Sequence, residues 1–411
     1  MTRPCRLAVL ASHPIQYFTP IYRRLAERPG LDVDVMYYRD FGVRAQFDRQ
    51  FAREIVWDTD QLSGYRYRFL RNISPITDTF NPLHAINPGA FTRLLGGYDA
   101  LWVNGYVYPS NWLAAIAGKL RGTKLLLRSD LRLYHRKQRR WYHAPRDLVL
   151  RAWIRAADAI LYVGQANREA YEHYGAEPRQ LFFTPHSVDV DAIARAADAA
   201  RQHLAQLRAQ WGLPADAVIV QFVGKLTAQK HVDRMLDLAR ELDQTRAHIM
   251  IAGSGPLEQH LRTSAADRQL HNVSFLGFVN QARIAEVYAA GDLFVLPSEG
   301  EAWGLAVNEA MAAEVVPIIS SEVGAAPDLI TQGETGFVFP FGDWRTMTDQ
   351  VARLVRDEPL RRQMAKAARA RVERYDYGAA VDGIIECLTA LGVYQVPALA
   401  RPARELVDVR H

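Results

Sequence analysis

Two lysines and two glutamates in the second half of the sequence have the types and spacing for chemistry on a phosphorylated, hydroxyl-rich ligand. The stretch Gly224-Lys225-Leu226-Thr227-Ala228-Gln229-Lys230-His231 follows the apolar run 218–223. Gly224 permits a tight turn or the close approach of a ligand. Lys225 and Lys230 bring two ammonium groups to the end of a strand. That suits a diphosphate leaving group, on which charge develops as its bond breaks; two solvated surface lysines would have the same spacing. A second stretch, Pro297-Ser298-Glu299-Gly300-Glu301-Ala302-Trp303-Gly304-Leu305, ends another apolar run and opens a helical pattern that carries Glu309. A helix start offers unbonded N–H groups and a positive dipole end to an anion. Glu301 and Glu309 are suited to accept paired hydrogen bonds from diols. One carboxylate on a sugar and one on a ribose would hold a nucleotide sugar about its diphosphate. Solvated turn and helix-surface charges are the plain alternative. Between the two stretches, Ile251-Ala252-Gly253-Ser254-Gly255-Pro256 joins a strand to a helix. Gly253 and Ser254 either aim N–H groups at an anion or make an ordinary turn. A dinucleotide fingerprint is excluded, because its third glycine and later acidic partner are missing.

The elements that must position these residues alternate strictly. Short apolar runs at 7–11, 33–38, 100–104, 125–128, 159–164 and 182–185 form one series, and runs at 218–223, 249–252, 273–275, 293–296, 315–319 and 336–338 a second. Amphipathic stretches such as 232–242 and 281–290 lie between them. This alternation implies parallel sheets with right-handed crossovers. Twelve strands are too many for one such sheet, so the expected fold class is α/β with two facing doubly wound parallel-sheet domains. The expected division is one domain over 1–190 and a second, which carries the lysine and glutamate stretches, over 191–375. A C-terminal helix over 376–395 packs back on the first domain, and a tail follows over 396–411. Ligands bind at the carboxyl ends of such strands, so two facing sheets make a cleft.

The 411 residues are 49% hydrophobic and 23% charged, which excludes disorder as the main state. No apolar run approaches the roughly 18 residues of a membrane span, and the N-terminal apolar stretch is too short for a signal peptide. Cys5 and Cys387 give neither a disulfide framework nor zinc spacing, so a cytoplasmic location is expected. The net charge of +5 suits an anionic partner without choosing one.

In the first half, His13 follows the first strand and could orient a phosphate or an acceptor hydroxyl, or pack on Tyr17. Asn104-Gly105-Tyr106 and Arg128-Ser129-Asp130 follow two later strands, at the same edge of the cleft. From Arg121 to Arg155, basic residues interleave with Trp141, Tyr142, Leu148, Val149, Leu150, Trp153 and Ile154. The mixture suits an anionic membrane surface or a lipid-diphosphate acceptor, or a solvated helix whose apolar face is core. No nucleic-acid motif accompanies it. Asp32-Val33-Asp34 and Asp58-Thr59-Asp60 have metal-site spacing but read as surface carboxylates.

The ordered set Gly224-Lys225 and Lys230, Gly253-Ser254-Gly255-Pro256-Leu257, Phe275-Leu276-Gly277-Phe278-Val279, Glu301 and Glu309, Gly324-Ala325-Ala326-Pro327-Asp328 and Gly333-Glu334-Thr335-Gly336 resembles the family-4 glycosyltransferases. The likeness is close from about 217 to 375, and Ser12-His13-Pro14-Ile15-Gln16-Tyr17 resembles the opening of one bacterial branch. It implies the GT-B fold and a retaining, metal-independent transfer from a nucleotide sugar, with no cofactor, to a saccharide or lipid-linked acceptor in bacterial surface polysaccharide or glycolipid assembly. By resemblance, Glu301 contacts the donor sugar, and Trp303, Gly304 and Leu305 supply backbone donors. Glu309 holds the ribose, Lys225 and Lys230 bind the diphosphate, and Phe278–Val279 meets the base. One residue near Arg128–Asp130 touches the sugar, and His186-Ser187-Val188-Asp189 lies at the hinge. Lys225 departs from the usual Arg and loses a bidentate fork. Glu314 stands where a glycine is usual, so its turn must differ or be strained. The first loop lacks the usual glycines. A nucleotide-sugar 2-epimerase on the same fold and a non-catalytic binding relative are the alternatives.

Overall fold

The structure is a computed structural model that describes residues 3–76, 81–133 and 144–396. Seven strands form the first sheet: β1 (Cys5–Ala11), β2 (Leu31–Tyr37), β5 (Arg66–Phe69), β6 (Ala100–Asn104), β7 (Lys124–Arg128), β8 (Ala159–Tyr162) and β9 (Leu181–Phe183). They lie in the order β5-β2-β1-β6-β7-β8-β9 and pair in parallel. Six form the second: β10 (Val218–Val223), β11 (Ala247–Ala252), β12 (Val273–Gly277), β13 (Leu293–Leu296), β14 (Val316–Ser320) and β15 (Phe337–Phe339), in the order β12-β11-β10-β13-β14-β15. Each order reverses once, between β1 and β6 and between β10 and β13. A doubly wound sheet opens a crevice at that point.

All twelve expected strands are present. Three strands had no sequence signal. One is β5, at the sheet edge, with Tyr67 and Phe69 each 40% exposed. The others are β3 (Gln46–Asp48) and β4 (Arg53–Ile55), an antiparallel hairpin outside both sheets. β5 is anchored by charge: Arg66 pairs with Asp32 at 2.7 Å and Arg68 with Asp34 at 2.9 Å. Asp34 is buried and also accepts from the Tyr98 hydroxyl at 2.6 Å. It is therefore a structural buried charge and not the surface carboxylate its spacing suggested, because the two carboxylates of β2 face the arginines of the neighbouring strand β5.

One face of the first sheet buries Ile21, Tyr22 and Leu25 of the helix Thr19–Ala26 together with Val381, Ile384 and Leu388 of the last helix, Tyr377–Ala390. The opposite face buries Ala114, Leu150, Trp153 and Tyr171 from three crossover helices. The second domain has one continuous core. The chain leaves the first domain near Val188 and returns at Asp376, and these two residues bridge each other. A Cβ at Gly383 would fall on the Phe183 carbonyl oxygen, so the last helix lies directly on β9.

Candidate active site

The second domain supplies one wall of the cleft from the loops after β10, β11 and β13. The first two pack backbone to backbone: Gly224 N–H donates to Ala252 O at 3.0 Å and Leu226 N–H to Ser254 O at 2.9 Å. A Cβ on Gly253 would overlap the Gly224 carbonyl. Gly253 N–H is bonded to Gly277 O at 2.7 Å, so it does not face an anion as the sequence allowed; close loop packing explains the glycine. Glu299 N–H donates to Gln229 O at 2.8 Å and Gln229 Nε2 to Gly300 O at 3.1 Å, which ties the first loop to the third. That brings Lys230 Nζ onto Glu301 Oε2, both half-buried. Gly304 takes a left-handed conformation (φ +98°) and caps the helix Leu305–Ala312. Of the helix's first-turn N–H groups, that of Val307 returns to Gly304 O at 2.8 Å, which leaves those of Leu305 and Ala306 ahead of the first intrahelical bonds.

Glu309 and Trp303 lie deeper than the sequence suggested. Glu309 is 4% exposed, accepting from Tyr17 Oη at 3.0 Å and Tyr288 Oη at 2.8 Å. Burial raises its pKa to about 7, held back by those two hydrogen bonds. Tyr17 belongs to the first domain, so Glu309 clasps the two domains together here. Trp303 is buried against His186 and Tyr375, and its Nε1 donates to Asn308 at 2.9 Å.

Three second-domain groups meet the β3–β4 hairpin across the cleft. Lys225 Nζ donates to Gln50 Oε1 and lies 4.9 Å from the centre of the Phe51 ring. Ser254 Oγ donates to Phe51 O at 3.0 Å. The Phe278 ring is met edge-on by Phe51 at 5.3 Å and covered by the Arg53 guanidinium at 4.5 Å, and Val279 beside it is half-buried. Burial lowers the pKa of Lys225, with Lys230 adding repulsion and Asp48 opposing.

The first domain's wall contains a cavity of about 470 Å³ lined by Asn104, Tyr106, Asp130, Arg132 and, from the second domain, Gly300 and Glu322. Asp130 is half-exposed there and held by His186 Nε2 at 2.7 Å. Arg128 touches the same cavity but is 1% exposed. Its guanidinium donates to Thr184 O at 2.9 Å and to Thr184 Oγ1 at 3.0 Å, which makes it a brace between β7 and the end of β9. Of Arg128, Ser129 and Asp130, only Asp130 presents its functional group to the cleft, since Ser129 Oγ bonds Tyr171. Asn104 Nδ2 donates to Leu10 O at 3.0 Å, joining the two switch-point strands. His13 bonds Ser12 and packs on Phe41, not Tyr17. Burial, aided by Arg39 and Lys225, lowers its pKa to about 4, so it is neutral at pH 7. Sequence reasoning missed Arg132, which donates across the cleft to Glu301 O and to Glu322 O, the latter at 2.7 Å.

In the basic segment, Leu150, Trp153 and Ile154 are core, whereas Leu148 (70%) and Val149 (46%) are exposed. Trp141 and Tyr142 lie outside the described residues. Among the described residues, no helix is long and apolar enough to cross a membrane.

Residues 205–371 match the family model described as glycosyl transferases group 1. Over 434 aligned positions the chain is 30% identical to a D-inositol 3-phosphate glycosyltransferase of Acidothermus cellulolyticus, covering 95% of this chain and 90% of that protein. It is 29% identical over 248 residues to the sulfoquinovosyl transferase SQD2 of Arabidopsis thaliana, covering 59% of this chain and 47% of that one. The chain thus spans about half the length of the Arabidopsis relative. The fold is similar to that of Anabaena HepE solved with UDP and glucose, at a TM-score of 0.69 and 17% identity, covering 94% of this chain and 100% of that one. The two facing doubly wound domains are the GT-B arrangement.

Proposed function

The chain belongs to the group 1 glycosyl transferases, and on that premise we propose that it moves a sugar from a nucleoside diphosphate donor to a saccharide or lipid-linked acceptor. The observation that carries this reading is the meeting of Lys230 and Glu301 beside Lys225 and a helix start, at the carboxyl ends of the second sheet's switch-point strands. Two ammonium groups match a diphosphate, and a half-buried carboxylate matches sugar hydroxyls.

The proposed reaction is of the family-4, retaining, metal-independent kind. The bond from the anomeric carbon to the diphosphate oxygen breaks, and the bond to the acceptor oxygen forms on the same face. The acceptor's proton passes to the departing phosphate oxygen. Lys225 and Lys230 stabilise the charge that grows on the diphosphate, and Glu301 orients the sugar. Asp130, opposite across the cleft, positions the sugar or the acceptor. The ribose reaches Glu309 only by replacing the Tyr17 hydroxyl.

The proposed setting is bacterial surface polysaccharide or glycolipid assembly at the cytoplasmic face of the membrane. Exposed Leu148 and Val149, with Ile116 (52%) and Leu120 (71%) on the neighbouring crossover helix, support peripheral attachment beside Arg121, Arg151 and Arg155. Sedimentation with anionic but not neutral vesicles tests that part.

Thermal unfolding with UDP, GDP, ADP and dTDP and their common sugars, with a chelator present, tests the donor. A ligand at about 100 times its Kd adds roughly 2.7 kcal/mol of stability. One nucleotide series shifting the midpoint, followed by sugar transfer to an acceptor, is the expected result. No shift with any series would count against the reading.

A further inference from the structure

The β3–β4 hairpin is part of neither sheet, yet the segment from 50 to 58 touches three successive loops of the second domain. Gln50 accepts from Lys225, and Phe51 O from Ser254. Val56 O accepts from Asn280 Nδ2 at 2.9 Å, and Asp58 from Ala282 N–H at 3.1 Å. Between these polar ties lies a cluster of flat groups: Phe51, the Arg53 guanidinium and, at 6.4 Å, Trp57, all gathered around Phe278. Phe51 and Trp57 are only half-buried and Arg53 is exposed, so the cluster is a surface feature and not part of either core. The hairpin tip is strained, since Ala52 has φ +53°, a left-handed conformation that suits glycine. Aromatic faces with an arginine among amide and carbonyl groups are the chemistry that binds a heteroaromatic base, by stacking and by edge hydrogen bonds. Lys225 borders the cluster, with its Nζ 4.9 Å from the centre of the Phe51 ring.

We propose that segment 50–58 is the first domain's contribution to nucleobase recognition: the base of a nucleoside diphosphate takes the place of the Arg53 guanidinium over the Phe278 ring, with Phe51 and Trp57 at its edges, and Gln50 releases Lys225 to the diphosphate. This rests on the nucleotide-sugar reading above. Donor choice is then set partly by the first domain, and base binding draws the two domains together through the hairpin.

The test is calorimetric titration of the full-length protein with UDP, GDP, ADP, dTDP and inorganic diphosphate. It compares the unsubstituted protein, Arg53→Ala and the double variant Phe51→Ala/Trp57→Ala. The expected result is a loss of about tenfold or more in affinity for the preferred nucleoside diphosphate in the double variant, with inorganic diphosphate binding unchanged. The unchanged titration also shows that the variant is folded. Nucleotide affinity that stays the same or rises would overturn the inference, the second outcome making the hairpin a plug. The same holds if the unsubstituted protein binds inorganic diphosphate as tightly as every nucleoside diphosphate. Binding of diphosphate alone leaves a phosphate site and refutes base recognition. Binding of nothing refutes the nucleotide-sugar reading itself.

Discussion

Replacing Glu309 by Gln should remove a fall in stability with rising pH that this buried carboxyl imposes on the second domain. Glu309 is buried and receives the hydroxyls of Tyr17 and Tyr288. Burial raises its pKa from an ordinary 4.5 to about 7. Between those two values the folded state holds a proton that the unfolded chain has lost. Stability therefore falls as pH climbs through that window and levels off above about 7. The difference corresponds to roughly 3 kcal/mol. A glutamine keeps the shape, accepts from one tyrosine and donates to the other, and does not titrate. The variant should be no more stable than the parent at pH 4.5 and more stable by about 2–3 kcal/mol at pH 8. In a domain of some 150–250 residues each kcal/mol moves the midpoint by about 2–4 °C. Calorimetric scans of both proteins from pH 4.5 to 8.5, without nucleotide, measure this. Parallel curves would show that the carboxylate stays ionised throughout and that burial is not its dominant influence. Tyr17→Phe removes one donor that holds the folded-state pKa down, so the descent should start at the same pH and extend to a higher one.

Glu301→Ala should lower turnover on the order of 100-fold with little change in nucleoside diphosphate affinity, read by steady-state kinetics beside calorimetry; equal turnover would end its assignment. Lys230→Met removes a charged partner of the diphosphate and should weaken nucleoside diphosphate binding by about 10–100-fold. Glu314→Gly relieves a left-handed residue (φ +53°) that closes the helix Leu305–Ala312. That relief of about 1–2 kcal/mol exceeds the roughly 0–1 kcal/mol of the partly exposed ion pair to Arg369. The variant's midpoint should rise by a few degrees. Arg132→Ala removes a tie from the first domain to the Glu301 loop, and small-angle scattering should report a more open pair of domains.

The central parallel strands were legible because they are apolar runs buried on both faces, as at Leu7 and Ala8 in β1 and Ile219 and Val220 in β10. β5 escaped because Arg66 and Arg68 interrupt its pattern, and only the pairing with Asp32 and Asp34 explains them. The need for a special backbone at Glu314 could be read in advance, since similar sequences usually carry glycine there, and its φ is +53°. The convergence of Lys230 on Glu301 is carried by loop-to-loop hydrogen bonds, which spacing alone does not encode. Tyr17 on Glu309 joins residues 292 positions apart, and Arg132 reaches Glu301 across 169, so neither leaves a local pattern. Arg128 was misleading for a physical reason: a cation at a strand's carboxyl end serves a ligand or braces the backbone, and only burial separates the two.

The return of the chain at Asp376 has a consequence for the order in which the protein is made. Tyr377, Val381, Ile384 and Leu388 complete the core that begins at Cys5. A nascent chain has the whole second domain available before the first can close over its apolar sheet face. The N-terminal half must wait with Leu7, Val9 and Trp102 partly uncovered until the final helix emerges. Truncation near residue 375 would thus injure the opposite end of the sequence, and an isolated N-terminal fragment would be a poor stand-in for the domain it encodes.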